Sequence, residues 1–191
     1  MQKLNPSDLV SNEEYLKERG RYRDRIIALR KLRRIEVGPL LSFTFENRET
    51  VKYQIQEMLR VERITDPKKI EQEIQVYNDL IPEPNGLSAT MFIEIPDQDQ
   101  IKAVLDRMQG LDSGGAVYLL IDGEKADAEF EPGHSKEDRI SAVHYVHFQL
   151  TPELAGKFDG ATVELHVEHS QYRAHAVFRE EQKKEIANDL G

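Results

Sequence analysis

Residues 11–37, SNEEYLKERGRYRDRIIALRKLRRIEV, read as one long helix, and the rest of the chain is organised around it. Ser11 followed three residues later by Glu14 fits a capping box, in which each side chain satisfies a backbone donor of the first turn. Gly38-Pro39 is a stop signal, because proline cannot continue a helix and restricts the residue before it. At 100° per residue, Tyr15, Tyr22, Ile26 and Leu29 share one arc, and Leu16 and Ile27 a second arc close by. Arg19, Arg23, Arg30 and Arg34 fall in a stripe between the two. A solvated charged face would lie opposite the apolar arc, whereas this one interrupts it. Guanidinium groups held there are partly desolvated and need carboxylates, carbonyls or an anion. Two readings follow: internal ion pairs that tie the helix to acidic strands, or a site for an anionic ligand or an acidic partner. Gly20 weakens the helix by about 1 kcal/mol relative to alanine and leaves room for close approach by a backbone or a ligand.

The charge of the whole chain sharpens that choice. From Lys17 to Arg34 there are nine basic and two acidic residues, a local +7, so the net charge of −9 leaves −16 on the remainder. Such polarity holds a fold together or orients a partner. An acidic remainder disfavours nucleic acid, whose phosphates it would repel. A chain of 191 residues with 39% hydrophobic residues supports a single domain. With no cysteine, this chain itself supplies no disulfide, thiolate nucleophile, cysteine-bound zinc or cysteine-ligated iron–sulfur cluster. No apolar run reaches the length of a bilayer span, and MQKLNPSDLV lacks the basic and apolar regions of a signal peptide. A cytoplasmic protein is expected, with no membrane contact and with self-association left open.

Working outward, Met1–Val10 reads as a loosely held arm with a short turn at Pro6-Ser7-Asp8. Leu40–Glu46 alternates as a strand. Asn47 caps a helix over about Arg48–Arg63, and Asp66-Pro67 starts another with Ile70, Ile74, Tyr77 and Ile81 as its stripe. After the turn-rich Pro82–Gly86 the pattern becomes mostly β. It gives strands at Thr90–Ile95, Val117–Ile121, Ala126–Glu131 and Arg139–Leu150, and a helix from Asp97 to Met108. Asp122-Gly123 is a hairpin turn. The loop with Gly110, Gly114 and Gly115 matches neither phosphate-binding glycine motif. Pro152–Lys157 reads as a helical turn and Glu180–Leu190 as a polar terminal helix. The expected fold is one α+β domain over residues 1–191: helices of a helix-rich part, to about residue 85, packed on a mainly antiparallel sheet built mainly from a sheet-rich part, from about 86 onward.

Ala161–His169 and Tyr172–Arg179 form a hairpin across Ser170-Gln171, which pairs His166 with His175 and Glu168 with Arg173. Val163, Leu165, Val167, Tyr172, Ala174, Ala176 and Phe178 form its core face. His144 points inward on the neighbouring strand, while Tyr145 and His147 point outward. Were that strand to lie beside the hairpin, His147, His166 and His175 would converge with Glu164 or Glu168 into a site for a divalent transition metal such as Zn, Fe, Ni or Mn. A solvent-exposed polar face with titrating histidines explains the same pattern. No G-x-S-x-G elbow occurs, and carboxylates are too numerous to select a catalytic pair, so the sequence leaves open whether the chain is an enzyme.

The segments EEYLKERGRYRDRIIALRKLRRIEVGPLLSFTFENRETVKYQIQEMLRVERI, LSATMFIEI and KEDRISAVHYVHF resemble the bacterial family known as domain of unknown function 3501 (DUF3501), over the full length. The resemblance carries over no catalytic residue. It implies an accessory role beside rubrerythrins and iron–sulfur oxidoreductases, in oxidative-stress or electron-transfer metabolism, with any cluster held by the partner.

Overall fold

The computed structural model describes residues 1–135 and 140–191. Its elements are helices α1 (Asn12–Arg33), α2 (Arg48–Val61), α3 (Pro67–Asn78), α4 (Ile101–Arg107), α5 (Pro152–Lys157) and α6 (Glu180–Ala187), and strands β1 (Arg34–Val37), β2 (Leu41–Glu46), β3 (Gly86–Ile93), β4 (Val117–Ile121), β5 (Glu124–Phe130), β6 (Val143–Gln149), β7 (Val163–His169) and β8 (Tyr172–Val177). The fold is α+β. All eight strands pair antiparallel in the order β1-β2-β3-β6-β5-β4-β7-β8.

The sheet curls until its edges meet and nearly closes a barrel. The Tyr172 hydroxyl of β8 donates to the Val37 carbonyl of β1 (2.5 Å) and accepts from the Leu40 amide (3.3 Å). Gly38 makes the turn between β1 and β2 with φ +66°, and a Cβ there would collide with that hydroxyl. Alternate residues of each strand fill the interior, among them Phe43, Phe45, Met91, Leu119, Phe148 and Leu165. Phe158 and Phe178 extend this core, and the two rings meet edge to face.

The quoted stretch is not one helix. The Ser11–Glu14 capping box forms as read, but α1 ends at Arg33 and residues 34–37 are a strand. Ile35 and Val37 sit opposite Phe43 and Leu41, which buries two β-branched side chains that another helical turn would have exposed. Gly38-Pro39 therefore stops a strand instead of a helix. The N-terminal arm is also held. Leu4 is buried, its backbone is bracketed by the Asn78 side chain, and Lys3 donates to the carbonyls of Asn78 and Ile81.

Leu4 belongs to a second apolar cluster with Val51, Ile55, Leu59, Ile74, Leu80 and Ile81, against which Tyr145 of β6 packs. α1 crosses α2, β2 and α6. Arg33 of α1 is fully buried: it donates to the Phe45 and Glu46 carbonyls and pairs with Glu185 and Asp189 at the end of α6. The helix expected from Asp97 divides into a 3-10 turn (Gln98–Gln100) and α4, and the strand expected from Arg139 begins at Val143. Arg139 itself lies outside the described residues.

Candidate functional site

The outer face of β2, β3 and β6 is polar, yet largely shielded from solvent. Register sets Thr44, Thr90 and Tyr145 side by side in one row, and Ser42, Phe92 and Val143 in the next. Alternation with Phe43 and Phe45 turns Ser42, Thr44 and Glu46 away from the barrel, where α1 packs over β2 and α2 reaches Glu46. Glu46 ends β2 just before α2. It is 2% exposed and accepts from Thr50 (2.5 Å) and Gln54 (3.0 Å) of α2 and from Thr90 (2.8 Å) of β3.

Above this strip lies a pocket of about 490 Å³. Glu46, Thr44, Thr90, Gln54 and Tyr145 supply its polar lining, and Ile27, Phe92 and Val143 its apolar wall. Arg30, Lys31 and Arg34, from the end of α1 and the start of β1, complete it. Burial, reinforced by the Glu46 and Glu131 carboxylates, holds the Tyr145 phenol above its ordinary pKa, so it stays protonated. A slightly larger hollow of about 550 Å³ between α1 and α2 differs in chemistry, because its Arg21 and Arg25 are already paired with Glu18 and Glu49.

The arginine stripe divides among different environments. Arg19 meets Glu57 through two nitrogens (2.7 and 3.0 Å), and Arg60 and the Tyr15 hydroxyl join the same carboxylate. With Arg19 as the largest cause, these contacts hold the Glu57 carboxyl down to about 2. Arg34 is engaged by Glu94 (2.5 Å) and, at 3.6 Å, by Glu36. Arg23 is exposed and makes no ion pair among the described residues. Arg30 stands apart: its Nε is buried without a hydrogen-bond acceptor among the described residues, and its guanidinium lies 5.9 Å from the centroid of the Tyr53 ring. Arg19 and Arg34 are tied internally, whereas Arg30 lines the pocket and makes no ion pair among the described residues. Gly20 has nothing within 4 Å of a would-be Cβ and faces open space.

The histidines are not brought together as the sequence suggested. His166 faces His175 in the expected register, and the rings stack at 5.0 Å. The stack continues from His166 to Tyr118 at 5.0 Å, with the Lys125 ammonium 4.3 Å from the centroid of the Tyr118 ring. Glu164 binds the His166 Nε2 (2.7 Å). His147, however, lies on β6, and β5 and β4 intervene between β6 and β7. It contacts Glu131 (3.1 Å) instead, and His134 approaches the other oxygen of that carboxylate at 3.6 Å. The predicted meeting of His147 with His166 and His175 is corrected on this point, since strand order separates them. Among the described residues, no group of three or more histidines and carboxylates is placed to hold a metal ion. His144 points inward and is fully buried. Burial lowers its pKa, which keeps it neutral.

Arg33 and Glu46 escaped the sequence reading. Arg33 sits in the same basic run as the stripe, and its one signal was that it lies on the arc of Tyr15 and Ile26. Glu46 looked like any outward residue of an alternating strand.

No curated protein matches the chain. A crystal structure of a novel protein of unknown function from Burkholderia pseudomallei K96243 is similar to it, with 31% identity, complete coverage of both chains and a TM-score of 0.92. No helix among the described residues is long and apolar enough to cross a membrane. The model of the family described as protein of unknown function (DUF3501) matches residues 3–190, and the chain belongs to that family.

Proposed function

We propose that this chain is a cytoplasmic accessory protein without a reaction of its own, and that it binds an organic anion in the pocket beneath α1. The N-terminal helices then serve as a roof laid on the outer face of β2, β3 and β6. The observation that carries this reading is Arg30, which lines the pocket with no ion pair, and with no acceptor for its Nε, among the described residues. A carboxylate or phosphate entering the pocket gives the Arg30 guanidinium the charge-assisted partner it lacks. Lys31 adds positive charge around the same opening. The internal pairing of Arg19 argues against use of the whole stripe as one surface. An association with a redox partner follows from family resemblance, and any iron–sulfur chemistry would reside in that partner, since this chain has no cysteine.

The test is calorimetric titration of the full chain with sodium 4-methylpentanoate, a small anion with an apolar body. We expect saturable one-to-one binding, weakened about tenfold or more by Arg30→Met, as loss of a charge-assisted contact implies. Equal affinity in wild type and Arg30→Met, or no heat of binding to either, would remove the anion site.

A further inference from the structure

Glu46 is the second anomaly in the same pocket, and it has the opposite sign. A carboxylate at 2% exposure ordinarily has a cationic partner, because transferring an unpaired charge out of water costs far more than neutral hydrogen bonds return. Glu46 has none among the described residues: its three donors are the hydroxyls of Thr50 and Thr90 and the amide of Gln54, all neutral. An ionised carboxylate offers about four acceptor positions, so one remains for whatever enters the pocket that Glu46 lines. Arg30 and Glu46 thus border one pocket, each short of a partner, and no ion pair joins them. The guanidinium turns toward the Tyr53 ring instead. Ile27, Phe92 and Val143 form an apolar wall alongside. A volume of about 490 Å³ suits a small metabolite.

We infer that the occupant is a zwitterion on an apolar frame, the chemistry of an apolar amino acid: its ammonium reaches Glu46, its carboxylate reaches Arg30, and its side chain lies on Ile27, Phe92 and Val143. This rests on the anion reading above and adds the cationic half. Arg34 does not compete for the carboxylate, being held by Glu94. Tyr145, kept protonated, offers a neutral donor beside the ligand.

Three ligands sharing one isobutyl group test this by calorimetry on the full chain: L-leucine with both charges, 4-methylpentanoate without the ammonium, and 3-methylbutylamine without the carboxylate. L-leucine is expected to bind about tenfold or more tightly than either half, as befits two charge-assisted contacts over one. Glu46→Gln should erase the advantage of leucine over 4-methylpentanoate while leaving 4-methylpentanoate binding intact. Arg30→Met should weaken both carboxylates and spare the amine. Equal affinity of leucine and 4-methylpentanoate for wild type overturns the zwitterion and leaves the anion site standing. Failure of all three ligands overturns both. Should Glu46→Gln lose the native circular dichroism spectrum, the ranking of the three ligands on wild type decides alone.

Discussion

Glu57 gathers Arg19, Arg60 and Tyr15 on one carboxylate, and its chemistry fixes how α1 is held on α2. These contacts lower the Glu57 pKa from 4.5 to about 2, with Arg19 the largest cause. The folded state therefore prefers the ionised form. The resulting stability is fully present above pH 4.5 and is lost as pH falls toward about 2. Discounted for partial solvent screening, it is on the order of 2 kcal/mol. Urea unfolding of wild type and Glu57→Gln should show the wild-type advantage at pH 7 shrinking between pH 5 and pH 3. An advantage that stays constant over that range would mean that the ion pair contributes nothing to stability. The sequence placed Arg19 in an interrupted apolar arc and so posed the question of its partner. Glu57 was unidentifiable because it lies on another helix, and helix contacts are not written in periodicity.

The β7–β8 hairpin was legible down to its register because period-two alternation and a two-residue loop leave one pairing that buries Val163, Leu165 and Val167 together. β1 was not, because RRIEV continues a basic helical run and shows its alternation over only four residues. What distinguishes it is tertiary: Tyr172 on the far edge of the sheet reaches Val37 and Leu40, and Gly38 leaves the space. Tyr172→Phe should cost about 1 kcal/mol or more, the price of leaving a partly buried carbonyl and amide without their hydroxyl. Hydrogen exchange should locate the loss at β1 and β8, with faster exchange of the Leu40 amide in particular. Loss spread evenly over all eight strands would show that this contact does not act as the local closure.

On the scale of the molecule, strand order settled what sequence could not. The inward and outward faces of β6 were readable, but its neighbours were not, and so His147 was expected beside His166 and His175 when β5 and β4 lie between. The same order assembles the pocket, since it sets Thr90 of β3 between Thr44 of β2 and Tyr145 of β6. The charge polarity visible in the sequence resolves in the same way: much of the basic run neutralises acidic partners within the fold, while Arg30, without an ion pair among the described residues, lines one pocket with the buried Glu46.

The most direct measurement is the nitrogen–hydrogen NMR signal of the Arg30 Nε during titration with L-leucine. We expect the Arg30 signal to move with saturation as a carboxylate pairs with its guanidinium, while the Arg19 Nε signal, already bonded to Glu57 at 2.7 Å, stays in place. A stationary Arg30 signal that instead moves on Glu46→Gln substitution in ligand-free protein would contradict this. It would mean that Arg30 and Glu46 neutralise each other and that the pocket has no unmet charge to offer.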